Sequence, residues 1–377
     1  MIDKVAFECT GCGACGDICP VGAISFKINR EGFSYPVINN ELCTSCQLCE
    51  RVCPACEHKC GNPLSDTYAS YSTSNPNESS SGGLFAAIAS YIISDNGVVY
   101  GAAFNDKLVL SHVRCYTVSD LFRLCGTKYV QSNCCGIYKQ VQKDLNADKK
   151  VLFSGTPCQV SGFRKYLRKE YENLYTIDLI CHGVPSPGIF ADYIHYCERL
   201  RKKEIAGFYT RDNREGWDNK FRSTILFKDG REEYNSMLSN LWNRIFFSEL
   251  ATRPSCSNCK YASMERQGDL TLGDFWGVER ECPEMYQEMG VSLIGVNTNK
   301  GKELLDTIDS IRIKAAVTSE KEHPNLYHPT PTNSRRDTFM ADYANLSFES
   351  VVEKYFGYSR WLDIKTQVKS FLNKLFK

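Results

Sequence analysis

An α+β fold is what this sequence predicts: a small, cysteine-dominated N-terminal domain followed by a larger mixed α/β domain. Two observations predict it. Ten of the twenty cysteines fall between Cys9 and Cys60, eight of them in two quartets of identical spacing. Further on, residues 150–203 alternate strand, helix, strand, helix, the pattern of an α/β layer with parallel pairing. At 377 residues there is room for a small domain plus one large or two medium ones, and a hydrophobic fraction of 42% supports a buried core. The formal net charge of +1, with no dense Lys/Arg stripe in the body of the chain, gives no electrostatic reason to bind nucleic acid.

The first quartet is Cys9, Cys12, Cys15 and Cys19, followed by Pro20, and the second is Cys43, Cys46, Cys49 and Cys53, followed by Pro54. Every member recurs 34 residues later. This is the C-x2-C-x2-C-x3-C-P run of bacterial ferredoxins, written twice. Two-residue gaps let three thiolates converge on one cubane, while the fourth cysteine, a helical turn further on, is carried to the other cluster. Two 4Fe-4S clusters are therefore expected, one on Cys9, Cys12, Cys15 and Cys53, the other on Cys43, Cys46, Cys49 and Cys19. The prolines end the short turn that presents each crossing ligand. A disulfide framework suits a much shorter secreted chain, and residues 1–8 show no charged segment leading into an apolar one. Zinc fails on count, because four C-x2-C steps closed by two C-P pairs are not a zinc ribbon. No run of eighteen apolar residues occurs, so a cytoplasmic location, where thiols stay reduced, is expected.

Short strands at 23–26 and 33–38, joined by a turn at 29–32, complete a ferredoxin-like domain over residues 1–62. Cys56 and Cys60 follow without an assigned partner, as spare ligands, a redox pair or incidental thiols. Residues 63–81, rich in Asn, Pro, Ser and Thr, read as a linker and lead-in strand containing Tyr68-Ala-Ser-Tyr71. Ser79-Ser-Ser-Gly-Gly83 then opens a helix at 84–93, either an anion site or an ordinary helix cap. Strands are expected at 98–104 and 108–115, then a short helix at 119–124. The polar, glycine-punctuated Cys125-Gly-Thr-Lys-Tyr-Val-Gln-Ser132 suits a phosphate or ring pocket, weakly. Cys134 and Cys135 read as structural, and 136–146 as a surface helix.

The alternation that decides the larger domain is strand 150–154, helix 160–170, strand 174–180 and helix 188–203. Its strands run into Gly155-Thr-Pro-Cys158-Gln159 and Cys181-His-Gly-Val-Pro185. In open α/β sheets ligands bind at C-terminal strand ends, so these two cysteines are expected to face one site. An Asp229-Gly230 hairpin and a polar, aromatic helix lead to Cys256-Ser-Asn-Cys259, a pair that zinc, redox-dithiol and cluster readings all share. Together Cys158, Cys181, Cys256 and Cys259 could hold a third 4Fe-4S cluster. Gly268 to Gly277 gives a strand and a Gly/aromatic turn suited to close approach of a flat ring or cluster. A further strand at 291–297 and helix at 301–308 follow. No G-x-G-x-x-G follows a strand and no G-x4-G-K-S/T occurs, so NAD(P)H or ATP use through those loops has no support. In the tail, Trp361, Ile364, Val368, Phe371, Leu372 and Leu375 share a helical stripe among basic residues. It suits peripheral contact with an anionic membrane or a partner, or packing on its own domain.

Gly155-Thr-Pro-Cys158-Gln, Ile180-Cys-His-Gly-Val-Pro-Ser186, the Cys256/Cys259 pair and Gly273-Asp-Phe-Trp-Gly277 stand in that order. They are preceded by Ser80-Ser-Gly-Gly83 and Gly126-Thr-Lys-Tyr-Val-Gln131, and across roughly residues 65–330 the chain resembles the family of coenzyme F420 hydrogenase/dehydrogenase beta subunits. The resemblance implies a flavin-binding domain at 82–330 that holds FAD beside a 4Fe-4S cluster on Cys158, Cys181, Cys256 and Cys259, with residues 331–377 as a C-terminal extension. It also implies Ser81, Gly82, Gly83, Lys128, Tyr129 and Gln131 as flavin-site residues. His182 either orients a cluster ligand, hydrogen-bonds the flavin or is structural. The expected function is an iron–sulfur flavoprotein oxidoreductase acting on an unidentified substrate, and similar bacterial proteins point to polysaccharide biosynthesis. Its counterpart is an electron donor or acceptor protein or a small-molecule substrate. The rivals are a non-catalytic electron-transfer subunit and a deazaflavin-dependent reductase.

Overall fold

The computed structural model describes residues 2–74, 79–217 and 222–366. The N-terminal domain holds two very short helices, α1 (Ala14–Ile18) and α2 (Leu48–Arg51), and the hairpin β1 (Ile24–Ile28) with β2 (Ser34–Ile38). Asn29 makes the turn: its Oδ1 accepts from the Glu31 and Phe33 N–H groups, at 3.1 and 2.9 Å. Pro36, opposite Phe26, is tolerated because each strand of a two-stranded ribbon is an edge. The domain's small core gathers Ile2, Cys15 and Cys53 with Val5, Ile24, Phe26 and Ile38, so two of the expected ligands are core residues.

The body is built on an eight-stranded sheet. In chain order the elements are β3 (Asn62–Pro63), β4 (Asp66–Ser72), α3 (Leu84–Ser94), β5 (Val98–Phe104), β6 (Leu110–Cys115), α4 (Ile137–Asn146), β7 (Val151–Gly155), α5 (Pro157–Leu167), β8 (Leu174–Leu179) and α6 (Pro187–Arg201). Then come β9 (Ile205–Tyr209), β10 (Thr224–Phe227), β11 (Glu232–Tyr234), α7 (Leu241–Phe247), β12 (Glu265–Arg266), β13 (Leu270–Asp274), α8 (Val278–Glu281), β14 (Ser292–Val296), α9 (Asn299–Asp306), β15 (Ile311–Ala315), α10 (Arg336–Asn345) and α11 (Phe348–Phe356). The strand order is β15-β4-β14-β13-β8-β7-β5-β6. β13, β8, β7 and β5 run parallel, and the flanks are antiparallel. β9, β10 and β11 form a separate sheet, and β3 pairs with β12.

Both faces of the central strands are covered, which is why β7 and β14 read as continuous apolar runs and are buried throughout. Side-chain alternation sorts them. Val99 and Leu152 join Leu84, Ile88, Ile92, Leu304 and Leu305 on one face, while Val98, Tyr100, Val151 and Phe153 meet Ile137, Val141, Val160 and Phe163 on the other. A third core packs α6 and α7 against Phe339, Val351, Val352 and Phe356 of α10 and α11.

The alternation expected over 150–203 is present, with one informative shift. α5 begins at Pro157, not near residue 160, because Thr156 caps it, the Gln159 side chain accepts from the Thr156 N–H at 2.9 Å, and Pro157 sits where a missing donor costs nothing. Cys158 therefore stands on the first turn of a helix, not in a loop. The hairpin at Asp229-Gly230 joins β10 to β11, with Gly230 at φ +81°. Within 63–81, Tyr68 to Tyr71 belong to β4, an interior strand of the main sheet. In the tail, residues 360–366 are helical, with Trp361 69% and Ile364 52% exposed, whereas Val368, Phe371, Leu372 and Leu375 lie outside the described residues. Among the described residues no helix is long and apolar enough to cross a membrane.

The N-terminal domain is locked onto the body. Asp17 on α1 accepts from the Gly136 and Tyr138 N–H groups, at 2.7 and 3.0 Å, and so caps α4 from another domain. The Cα of Gly32 packs on Gly188, where a side chain on either would collide with backbone. Arg336 pairs with Glu31 at 2.7 Å, and Phe33 is buried in the core formed by α6 and α7.

Candidate functional site

The two N-terminal quartets adopt matching backbones. Gly11 and Gly13 have φ of +71° and +84°, and at the equivalent positions Ser45 and Gln47 take +54° and +61°. Non-glycine residues rarely accept this region, so its repetition marks a loop shape that the thiols require. Cys19, Cys43, Cys46 and Cys49 line one cavity of about 240 Å³ with Val21, Ile24, Ile38 and Leu48. The other set is deeper. Burial pushes the Cys12 and Cys15 thiols up, and their mutual charge with Cys9 and Cys53 pushes them further. The thiols thus sort as the crossed sets, three from one quartet and the fourth from the other. Cys56 stands beside Cys53, and Cys60 lies exposed near Glu265.

A third set comes together from three distant segments. Cys158 is on the first turn of α5, Cys181 follows β8, and Cys256 and Cys259 flank the end of a 3₁₀ turn at Pro254–Asn258. All four line a single cavity of about 170 Å³. Its wall also carries Pro157, Gly183, Val184 and Tyr261 from the body, and Thr10, Pro54 and Ala55 from the N-terminal domain. Gly183, at φ +133°, lets the chain turn here, since a Cβ would lie 3.0 Å from Thr252 Cγ2 and 3.4 Å from Cys256 Cβ. Burial, then the neighbouring Cys259 charge, pushes Cys158 up to about 11. Burial raises Cys256 to about 12, and Cys181 and Cys259 also rise. The thiols border cavities rather than close on a point: among the described residues no three His, Cys, Asp or Glu side chains are gathered as around a single ion. Four soft donors around a cavity fit a cubane, and where a cluster is bound they must be thiolates.

The first and third sets are neighbours. Gly162 of α5 faces Cys12 so closely that a Cβ there would lie 2.7 Å from Cys12 Sγ. Cys134 is buried between them, its Sγ 3.2 Å from His112 Nδ1, and burial holds His112 down at about 4, hence neutral. Tyr138 Oη donates to the Cys12 carbonyl at 2.7 Å.

The loops singled out for a flavin also converge. The Thr127 N–H donates to Ser80 Oγ at 2.7 Å, Thr210 Oγ1 donates to the Thr127 carbonyl at 2.6 Å, and Ser81 Oγ donates to the Val291 carbonyl at 3.0 Å. Gly82 is pressed on the sheet, where a Cβ would meet Ser70 O at 2.6 Å and Ser292 N at 2.8 Å, and Gly83 leads into α3 at φ +79°. Lys128 turns its ammonium onto the carbonyls of Leu124, Cys125 and Gly126, and burial lowers it to about 8. Tyr129 stacks on Phe246 at 4.3 Å, and burial raises its hydroxyl to about 12 although the Arg211 charge pulls the other way. Phe246 also meets the His182 ring at 5.3 Å, so an aromatic bridge leads from the neighbour of Cys181 to Tyr129. His182 Nε2 is 3.5 Å from Glu249 Oε1, and burial lowers its pKa.

Gln131 stands elsewhere. Its amide donates to the Thr10 carbonyl and accepts from Arg253 Nη1, both at 2.9 Å, which places it at the seam with the N-terminal domain. Arg211 carries no signal in the sequence. It is buried and paired through Nη1 with Asp274 at 2.5 Å, and its Nε and Nη2 have no hydrogen-bond partner among the described residues. Trp276 lies over it at 5.4 Å and stacks on Trp217 at 4.7 Å. Tyr129 is a further polar neighbour of this guanidinium, and a buried cation beside stacked rings is the kind of group that suits an anionic or carbonyl-bearing ring ligand such as a flavin.

Comparison with known proteins agrees with this division. Residues 148–321 match the family described as the C terminus of the beta subunit of coenzyme F420 hydrogenase/dehydrogenase, and residues 8–57 match a 4Fe-4S dicluster domain. The chain is 24% identical over 317 residues to the coenzyme F420-dependent sulfite reductase of Methanocaldococcus jannaschii, covering 80% of this chain and 46% of that protein. It is 22% identical over 308 residues to a subunit of the F(420)H(2) dehydrogenase of Methanosarcina mazei, covering 74% of this chain and 82% of that one. The chain thus spans about half the length of the sulfite reductase. A chain of the F420-reducing nickel–iron hydrogenase complex of Methanosarcina barkeri aligns with a TM-score of 0.47 at 15% identity, over 79% of this chain and 94% of that one.

Proposed function

Residues 8–57 carry a 4Fe-4S dicluster domain, and residues 148–321 a C-terminal domain of the kind found in beta subunits of coenzyme F420 hydrogenase/dehydrogenase; we propose on this basis that the chain is an iron–sulfur flavoprotein oxidoreductase. It would pass electrons between ferredoxin-type clusters and FAD. One observation carries this reading: Cys158, Cys181, Cys256 and Cys259 line one cavity whose wall includes Thr10 and Ala55 of the N-terminal domain. Clusters relay single electrons and a flavin exchanges one or two, so the cofactors supply the chemistry that the residues organise. Cys46, exposed on the outer set, marks the face where a partner electron donor or acceptor protein docks. Inward from it stand the first set, the third set, and then Phe246 and Tyr129 beside Arg211. The Ser80–Gly83 and Thr127–Tyr129 loops would hold the flavin, with the buried Arg211 guanidinium beside Tyr129 turned to its anionic or carbonyl groups.

Anaerobic reconstitution followed by iron and flavin quantitation tests this. About twelve irons and about one FAD per chain are expected. Eight irons would remove the third cluster, and a fully loaded protein without flavin would favour a non-catalytic role in electron transfer. A deazaflavin-dependent reductase is the second reading, favoured by the names of the two relatives above. Mixing reduced deazaflavin with the anaerobic flavoprotein separates the two, since only that reading has the flavin bleach. A substrate in polysaccharide biosynthesis would be recognised by its reoxidation of the bleached flavin.

A further inference from the structure

Arg253 belongs to two thiol sets at once. It is 1% exposed. Its main chain is part of the third set's cradle: its N–H donates to the Val184 carbonyl at 2.9 Å and its carbonyl accepts from the Cys256 N–H at 3.0 Å. Its side chain leaves that cradle and enters the N-terminal domain. Nε donates to the Cys9 carbonyl at 2.6 Å, Nη2 to the Ser34 carbonyl at 3.1 Å and Nη1 to Gln131 Oε1 at 2.9 Å. The guanidinium lies over the rings of Tyr35, at 4.4 Å, and Phe33, at 5.2 Å.

Every acceptor it uses is neutral, and a buried cation is retained only where an anion compensates it. Arginine does not escape by losing its proton. Two sources of negative charge flank it: the set begun by Cys9, whose carbonyl takes its Nε–H, and the set containing Cys256, whose N–H donates to the Arg253 carbonyl. We propose that Arg253 is the shared counter-cation of the first and third clusters. A cubane with its four thiolates is a dianion when oxidised and a trianion when reduced, so a fixed positive charge favours reduction of both. The cluster on Cys19, Cys43, Cys46 and Cys49, outside this contact, gains no such help, and an electron arriving there runs inward. The inference rests on the third thiol set holding a cluster. No bond forms or breaks and no proton moves: each cluster takes one electron from a one-electron reductant, which is dithionite in the test.

The test is a redox titration of the full, reconstituted chain followed by electron paramagnetic resonance. The third cluster's signal is the one lost in Cys256→Ala, and the outer cluster's the one lost in Cys46→Ala. In Arg253→Gln, the reduced-to-oxidised ratio of the first and third clusters at fixed potential should fall at least tenfold, which is about 59 mV for one electron. The outer cluster should stay within about threefold, and Arg253→Lys should recover most of the loss. Gln131→Glu places a carboxylate against Nη1 and should produce the same drop with the guanidinium in place, even if Arg253→Gln does not accumulate. Twelve irons with no selective drop would overturn the role of Arg253 and leave the clusters intact. Eight irons with the first cluster shifted would overturn the third cluster, and the sharing with it, while leaving Arg253 as the counter-cation of the first.

Discussion

Replacing Gly162 with alanine tests whether Cys12 is held as a ligand or is a free buried thiol. Gly162 lies inside α5, where alanine ordinarily stabilises a helix by about 1 kcal/mol. The new Cβ would lie 2.7 Å from Cys12 Sγ and 3.1 Å from Cys12 Cβ, against an ordinary separation of about 3.5–4.0 Å. One partner must retreat by about 1 Å. A free thiol can turn about its single side-chain torsion, and the helix gain would then dominate, leaving the variant neutral or slightly more stable. A thiolate bound into a cubane cannot turn, and Cys12 is buried. The clash then costs about 1–3 kcal/mol, which outweighs the helix gain by about 1 kcal/mol on average. The sign of the change is therefore the readout. Anaerobic thermal scans of the reconstituted Gly162→Ala protein should show melting lowered by about 1 °C, with iron content falling below wild type, whereas the iron-free protein should show little change or a small gain. A reconstituted variant that melts at or above wild type with full iron would refute the reasoning.

Cys256→Ala should lower the iron count from about twelve to about eight, since a cubane lacking one of four thiolates is not retained through desalting; an unchanged count would remove Cys256 from the ligand set. Asp17→Ala deletes two charge-assisted hydrogen bonds to the first turn of α4 and leaves the Tyr138 donor buried without a partner, a loss of about 2–4 kcal/mol. Hydrogen exchange of residues 136–146 should accelerate by about thirtyfold or more, and wild-type protection there would contradict the interdomain cap. Lys128 is held at about 8 by burial, below the ordinary lysine value of 10.5. Between these values the unfolded chain keeps a proton that the folded one has lost, so stability should rise with pH through that window and fall as pH drops through about 8. Lys128→Met should flatten the rise in denaturant titrations, and an unchanged slope would show that Lys128 does not cause it.

What is legible before folding is whatever is local. Two quartets at a common spacing name their cofactor, because the thiols that share a cubane are brought together mainly by two-residue gaps. The parallel strands β7 and β8 announce themselves as short apolar runs alternating with helices, a pattern that depends on period and burial alone. Local chemistry also misleads: Thr156-Pro-Cys-Gln159 reads as the segment between a strand and a helix from residue 160, although the same residues form the capping box that starts the helix. β9 gives no such signal, its apolar run interrupted by Gly207.

The rest is settled only by tertiary structure, because the partners are far apart in the chain. Gln131 looks like part of a ring pocket from its polar neighbours, but its amide is spent on Thr10 and on Arg253, 121 and 122 residues away. Arg211 carries no motif, and its pairing with Asp274 across 63 residues is what holds its guanidinium buried beside Tyr129 and Trp276. Cys158, Cys181, Cys256 and Cys259 can be named from the sequence, but only the closure of α5, the end of β8 and the 254–258 turn around one cavity gathers them. The sequence by itself determined which groups can bind iron, since ligand chemistry belongs to residue type and spacing. The fold decided which of them share a site and which charge stands between them, since distance and dielectric exist only once the chain is packed.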